Sequence, residues 1–211
     1  MIPPKIYNVR EKVENRYKMI FSNYRSLTGN ISLPSERKYF TMCGPCIDDL
    51  GRLILNSELE QALRLKFIVP NQFIGVDFDT ITFRRNCLFK KANWSNIDFT
   101  RINFGQDKRF IPSVINYDTC HGIEKSLPGL IKILNDISRN NVHEVLVIIN
   151  VISYYARAIK SSFEDSQNKI FSNKDLVLVL QQDKNFSVGI TDSYKGCDSK
   201  ATMATFSFYR R

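Results

Sequence analysis

The stretch Gln72-Phe73-Ile74-Gly75-Val76-Asp77-Phe78-Asp79 is a short apolar run that ends in two carboxylates. In α/β nucleoside sites a carboxylate at the C-terminal end of a strand accepts the hydroxyls of a ribose, so Asp77 is a candidate for that role. Upstream, Lys38-Tyr39-Phe40-Thr41-Met42-Cys43-Gly44-Pro45 is a second apolar run, and it ends at a glycine turn. Glycine at such a turn lets backbone approach a bound cofactor closely. The same turn spells Cys43-Gly44-Pro45-Cys46, a C-x-x-C pattern that can perform thiol–disulfide exchange when a following helix lowers the first thiol's pKa. Cys120-His121 pairs a nucleophile with a base in sequence, but adjacent strand side chains point to opposite faces. His121, His143 and the scattered cysteines lack the paired spacing of a zinc site, so no metal is expected. No phosphate-binding glycine loop of the P-loop type is present.

These residues need elements to hold them. Val9, Val13, Tyr17, Ile20, Phe21 and Tyr24 recur at helical spacing, with Arg10, Lys12, Arg16 and Lys18 elsewhere around the turn. That pattern predicts one helix over 8–28, stopped by Gly29 and Asn30. A first strand is expected at about 38–43 and a helix near 55–67, with Asn56 or Ser57 as its cap. A second strand follows at 72–77, then a helix over 80–90 and a weak third strand near 91–95. Residues 100–110 read as a loop and 112–117 as a fourth strand. Leu127, Leu130, Ile131, Leu134 and Ile137 mark the clearest helix, with Pro128 expected in its first turn, where the missing N–H costs little. Val145–Val151 is continuously apolar, the mark of a strand buried on both faces. Residues 154–170 read as a helix and Leu176–Leu180 as a strand. Phe186–Tyr194 and Ala201–Tyr209 read as two strands, joined through a loop with Gly196, Asp198 and Ser199. Arg210 and Arg211 are expected to fray.

Alternating strands and helices followed by a hairpin define an α/β class. The expected architecture is a Rossmann-like, mostly parallel sheet with helices on both faces and a C-terminal antiparallel hairpin, preceded by an N-terminal helix. The expected division is 1–35, an N-terminal helical extension, and 36–211, the main domain. A 43% hydrophobic content excludes global disorder. A net charge of +9 favours an anionic partner, nucleic acid above all. Five dispersed cysteines fit a reducing, cytoplasmic setting better than a disulfide scaffold. The N-terminal residues have no signal-peptide pattern, and no run of about 18 apolar residues predicts a membrane span.

The order of elements, with its terminal hairpin, resembles the class I S-adenosylmethionine-dependent methyltransferases over about residues 36–209. The resemblance puts Cys43, Gly44 and Pro45 at the cofactor loop and Asp77 at the ribose-binding acid. Phe78 would pack on the adenine. In Asn96-Ile97-Asp98-Phe99, Asp98 would accept from the adenine amino group beside Phe99. Asn116-Tyr117-Asp118-Thr119 falls at the catalytic or substrate-facing motif: Asn116 or Asp118 would orient an amine nucleophile, and Tyr117 would stack on an exposed base. The loop departs from the family, since Met42 and Cys43 stand near the position of its usual acid and Gly44 is the only glycine before Gly51. The motif after strand 4 lacks the two prolines of the amino-methylating branch. The resemblance implies S-adenosylmethionine as cofactor and a methyltransferase acting on nucleic acid. The alternative is an inactive methyltransferase-like binding or assembly module with a protein partner or a second copy of itself. Degeneracy, small size and the lack of a target-recognition domain suggest a viral or mobile-element origin, hence a host cytoplasm. Cys43-Gly44-Pro45-Cys46 also resembles the thioredoxin active site and implies a thiol-disulfide oxidoreductase. No tryptophan precedes Cys43, however, and no proline lies between Pro70 and Pro112 to face the thiols.

Overall fold

A computed structural model describes residues 10–153, 159–196 and 201–211. Among the described residues, seven strands form one sheet: β1 (Tyr39–Met42), β2 (Phe73–Val76), β3 (Asn93–Ser95), β4 (Val114–Gly122), β5 (Val145–Ser153), β6 (Phe186–Lys195) and β7 (Thr202–Arg210). Their order is β3-β2-β1-β4-β5-β7-β6. The first five strands pair in parallel, while β7 is antiparallel to both β5 and β6. The helices are α1 (Arg10–Arg16), α2 (Tyr24–Thr28), α3 (Glu58–Arg64), α4 (Thr80–Asn86), α5 (Ile123–Arg139), α6 (Ile159–Phe171) and α7 (Lys174–Gln182).

Strand alternation divides the core between two faces. Tyr39, Phe73, Val114, Leu146 and Ile148 pack with Met19, Ile20, Tyr24, Leu59 and Ala62 beneath α2 and α3. Phe40, Ile115, Val147 and Ile149 pack with Leu130, Leu134, Ile170 and Leu176 beneath α5, α6 and α7. β5 is buried along nearly its whole length, as its unbroken apolar run predicts.

Several expectations are corrected. The N-terminal segment is not one helix: a π-helical turn at Tyr17–Phe21 separates α1 from α2. The buried stripe of this segment is Asn15, Arg16, Met19, Ile20 and Tyr24, not the expected one, and Tyr17 is 49% exposed. Leu176–Leu180 is helical, not a strand. The Asn173 side chain accepts the Leu176 amide as the cap of α7, and Leu176 and Val179, three apart, are the buried residues. Pro128 lies in the second turn of α5, because that helix starts at Ile123 with Gly122 as its cap. Strand 4 runs on to Gly122, with an irregularity in its pairing to β5 between Asp118 and Gly122. The helices expected over 55–67 and 80–90 are shorter, and Ser57 rather than Asn56 caps α3 by accepting the Glu60 amide. Of the helix expected over 154–170, residues 154–158 lie outside the described residues, as do Asp198 and Ser199 of the hairpin loop.

Arg210 does not fray. It donates to Asp183 Oδ2 at 2.8 Å, to the Val142 carbonyl at 2.7 Å and to Asn141 Oδ1 at 2.9 Å, and it is 4% exposed.

Candidate functional site

In a sheet of this order the chain moves outward from β1 to β2 and β3 on one side, and from β4 to β5 on the other. The C-terminal ends of β1 and β4 therefore flank a topological switch point, where ligands of open α/β sheets bind. A cleft with a cavity volume of only about 10 Å³ lies there, lined by Lys12, Arg16, Cys43, Gly44, Pro45, Cys46, Glu58 and Asp118.

The β1 turn forms one wall. Asn86, buried on α4, holds it from both sides: its Oδ1 accepts the Cys46 amide at 2.9 Å and its Nδ2 donates to the Gly44 carbonyl at 3.3 Å. No helix follows Cys46. The chain makes a small turn closed by an antiparallel bridge between Ile47 and Leu53, and α3 starts only at Glu58. Cys43 and Cys46 are 5% and 2% exposed and unbridged. The Cys46 side chain and then burial hold the Cys43 thiol well above its ordinary pKa. An attacking thiol needs the opposite, a stabilised thiolate at a helix N-terminus. The oxidoreductase expectation for Cys43-Gly44-Pro45-Cys46 is corrected on that ground.

The β2 end supplies Asp77, about half-buried. Its Oδ1 accepts the Asp79 amide at 2.8 Å, and Oδ2 meets no protein donor among the described residues. Burial raises its pKa, although the Asp79 amide works against this. The Asn96 side chain donates to the Asp77 carbonyl at 2.8 Å and ties the β2 end to the β3 end. Phe78 is 71% exposed beside it. Asp98 is exposed and caps a 3₁₀ turn at Phe99–Arg101, where its Oδ1 accepts the Thr100 amide and hydroxyl. Those bonds lower its pKa.

Phe99 and Tyr117 do not face a ligand. They are 1% and 5% exposed and stack on each other with ring centroids 5.7 Å apart. Tyr117 points beneath α5, so it cannot stack on a splayed base; strand alternation sends it to the face opposite Asn116 and Asp118.

Asn116 is fully buried. Its Nδ2 donates to Glu58 Oε1 at 2.8 Å and its Oδ1 accepts from Asn150 at 2.9 Å. Glu58 Oε1 also accepts the Tyr39 hydroxyl at 2.6 Å, and Asn150 Oδ1 accepts the Thr205 hydroxyl at 2.8 Å. A polar chain thus crosses β1, β4, β5 and β7 on one sheet face. Burial, followed by the Glu58 charge, drives the Tyr39 phenol well above its ordinary pKa.

Asp118 is committed to Lys12, whose Nζ lies 2.6 Å from Oδ2. Burial, the largest single influence, would lower the Lys12 pKa, but the Asp118 charge, the Tyr194 phenol and the hydrogen bond to Asp118 together outweigh it and hold the ammonium protonated. Arg16 lies alongside, donating to the Asn56 carbonyl at 2.8 Å, with its guanidinium 3.8 Å from Glu58.

Lys12, Arg16, Glu58 and Asn86 are the residues that motif reading misses. Lys12, Asn15, Arg16, Met19 and Ile20 follow i, i+3, i+4, i+7, i+8 spacing. That single helical stripe was legible only to a reader willing to bury its charged members.

No family model matches the chain, and no curated protein matches it. Solved structures do. The magnesium protoporphyrin IX methyltransferase of Synechocystis PCC 6803, solved with S-adenosylhomocysteine, superposes with a TM-score of 0.52 at 10% identity, over 95% of this chain and 85% of that one. A protein of Pyrococcus horikoshii OT3 gives 0.51 at 10% identity, over 98% and 94%. The S. pombe Dnmt2 methyltransferase gives 0.50 at 14% identity, over 82% of this chain and 49% of that one. Together with the strand order, these matches decide the fold. The chain has the class I S-adenosylmethionine-dependent methyltransferase fold. Within the methyltransferase fold, Asp77 stands at the end of the second strand, Gly44 in the turn after the first, and Asp118 midway along the fourth, where its regular pairing to the fifth is interrupted. Among the described residues no helix is long and apolar enough to cross a membrane, and no cluster of metal-ligating side chains occurs.

Proposed function

We propose that this protein binds S-adenosylmethionine at the C-terminal ends of β1 to β4 and transfers its methyl group to nucleic acid. The observation that carries the reading is Asp77: a half-buried carboxylate at the β2 end of a methyltransferase fold, with one oxygen uncommitted. A buried carboxylate without a full set of donors costs stability, and a ribose diol supplies the donors it lacks. Phe78 offers an exposed ring beside it for the adenine. Asp98 Oδ2 is placed to accept from an amino group, since its bonds to Thr100 use Oδ1. Cys43, Gly44 and Pro45 present the β1 turn.

The bound cofactor would supply a methyl group on a sulfonium, which needs little acid–base help. The chain's residues bind and orient, and alignment provides most of the rate. Asp118, which lines the cleft paired to Lys12, would orient an entering amine. Asn116 acts from the core, holding β4 through Glu58 and Asn150. The net charge of +9, with Arg84, Lys90 and Lys91 exposed near the β2–β3 edge, supports a polyanionic acceptor. Trp94 in that neighbourhood is not a stacking platform, because its Nε1 donates to the Phe89 carbonyl and its ring packs on Phe73. We take residues 36–211 as the catalytic domain, residues 1–35 as its extension, and a cytoplasmic, viral-type setting as its context.

One observation favours a second reading, an inactive binding module that acts through a protein partner or a second copy. The cleft of about 10 Å³ is far smaller than the roughly 300–1,000 Å³ of ligand pockets, and the Lys12–Asp118 pair stands in it.

Thermal unfolding with S-adenosylhomocysteine separates the two readings. At about 100 times Kd a ligand adds about 2.7 kcal/mol. A shift of several degrees, lost in Asp77→Asn, supports the cofactor site. No shift in a folded protein favours the module. For the acceptor, binding to an oligonucleotide should weaken steeply with added salt.

A further inference from the structure

The segment Arg10–Phe21 covers the β1/β4 cleft in an unusual way. Helices dock on sheets through apolar burial, yet the fully buried residues of α1 are Asn15 and Arg16. Its contacts are polar. Lys12 pairs with Asp118, the Val13 carbonyl accepts from Gln61 at 3.0 Å, and the Asn15 side-chain amide lies 3.2 Å from the Thr205 hydroxyl. The closed arrangement is also incompletely satisfied. Arg16 Nε and Gln61 Oε1 are buried without a hydrogen-bond partner. Each such atom forgoes the hydrogen bond that water would give it. Little apolar area and these unsatisfied groups place α1 at the low end of local stability.

The adjoining π-helical turn supplies a pivot. Met19 and Ile20 are fully buried and anchor it to the sheet, while Arg10 and Glu14 at the other end are exposed. A π-helical turn interrupts the regular hydrogen-bond ladder and concentrates bending there.

We infer that Arg10–Arg16 is a hinged lid over the β1/β4 cleft, latched by the Lys12–Asp118 ion pair and pivoting at Tyr17–Phe21, and that it parts to admit ligand. The identity of that ligand rests on the cofactor reading above, and the lid itself does not. The latch crosses from the lid to β4, so an entering group must break it. A ligand carrying both a cation and an anion can replace both partners, the cation facing Asp118 and the anion facing Lys12 and Arg16. Parting the lid also uncovers Cys43 and Cys46, which line the same cleft.

Those thiols report on the lid without any ligand. Maleimide labelling, mapped by mass spectrometry, is followed at Cys43 and Cys46, with the half-buried Cys87 as internal reference and amide exchange in β5 as the monitor of global opening. Lys12→Met breaks the latch, and Lys12→Met with Asp118→Asn removes both charges, so that no unpaired carboxylate threatens folding. Lys12→Met should label Cys43 and Cys46 about tenfold faster than the parent, as expected when one partner of a buried pair is lost, and the double variant should change in the same direction, with Cys87 and β5 unchanged in both. Unchanged labelling at Cys43 and Cys46 would overturn the lid. So would acceleration that appears only together with faster exchange in β5. S-adenosylhomocysteine is then added to the parent. Faster labelling in the variants together with no effect of this ligand keeps the lid and removes the cofactor reading.

Discussion

Gly129 of α5 lies so close to Tyr117 of β4 that a Cβ on the glycine would sit 2.1 Å from the phenolic oxygen and 2.7 Å from the ring carbon bearing it. The tyrosine cannot swing aside, because its ring is stacked on Phe99 inside the core. Gly129→Ala should therefore destabilise the protein by about 1–3 kcal/mol, although alanine is the better helix former. Urea unfolding of the variant checks this. An unchanged midpoint would mean that α5 and β4 are less tightly apposed than described.

The polar chain on the opposite face gives a second expectation. Asn116→Ala leaves Asn150 Nδ2 without its acceptor and removes a donor from the Glu58 carboxylate, all in the core. The expected cost is about 2–4 kcal/mol. Asn116→Asp should be at least as damaging, since it sets a second carboxylate against Glu58. Chemical unfolding of both variants tests the order.

Asp77→Asn should divide stability from binding. Burial raises the folded pKa of Asp77 above its ordinary value. Such a group favours the folded state most below that ordinary value, and the contribution is lost as pH rises through the folded pKa. At neutral pH the ionised carboxylate therefore costs stability, and the amide should raise Tm slightly, with the difference vanishing below about pH 4. Affinity for S-adenosylhomocysteine should fall roughly 10- to 100-fold, since charge-assisted bonds to the ribose are lost. Tm against pH, with and without ligand, reads both effects.

Asp183 has the opposite sign. Burial works against its ionisation, but the Ser138 hydroxyl, the Asn185 amide and Arg210 outweigh it and lower the pKa. The stability it contributes is fully present above the unfolded carboxylate value and is lost as pH falls through the folded one. Asp183→Asn leaves Arg210 buried without its partner and should cost about 3–5 kcal/mol at neutral pH. The gap should narrow below about pH 4. Denaturant unfolding at several pH values checks the direction.

The parts of this fold that sequence reveals are those set by apolar pattern. Val145–Val151 reads as a doubly buried strand because nothing polar interrupts it, and Leu127–Ile137 reads as a helix because its spacing admits no other period. Leu176–Leu180 misleads because a five-residue apolar run fits strand and helix equally; the Asn173 cap that decides it lies outside the run. At the site, Asp77 is legible from its place after an apolar strand. Tyr117 and Phe99 are not, since aromatic residues serve cores and ligands alike. Lys12 and Arg16 are least legible of all. Charge patterning assigns them to solvent, and only the partners Asp118 and Glu58, distant in sequence, explain their burial.

β7 occupies an interior lane of the sheet, between β5 and β6, although it follows both in the chain. As the chain leaves the ribosome, β5 emerges with one edge open and β6 emerges with nothing to pair to. Neither vacancy closes until residues 202–210 arrive. The Arg210–Asp183 pair forms only at that moment, so the last rows of the ladder and their lock are made together. Folding of this sheet is therefore released late in synthesis. Until then the most apolar strand of the molecule offers a free edge to any other chain, so polypeptides stalled before residue 202 are the form most prone to aggregate.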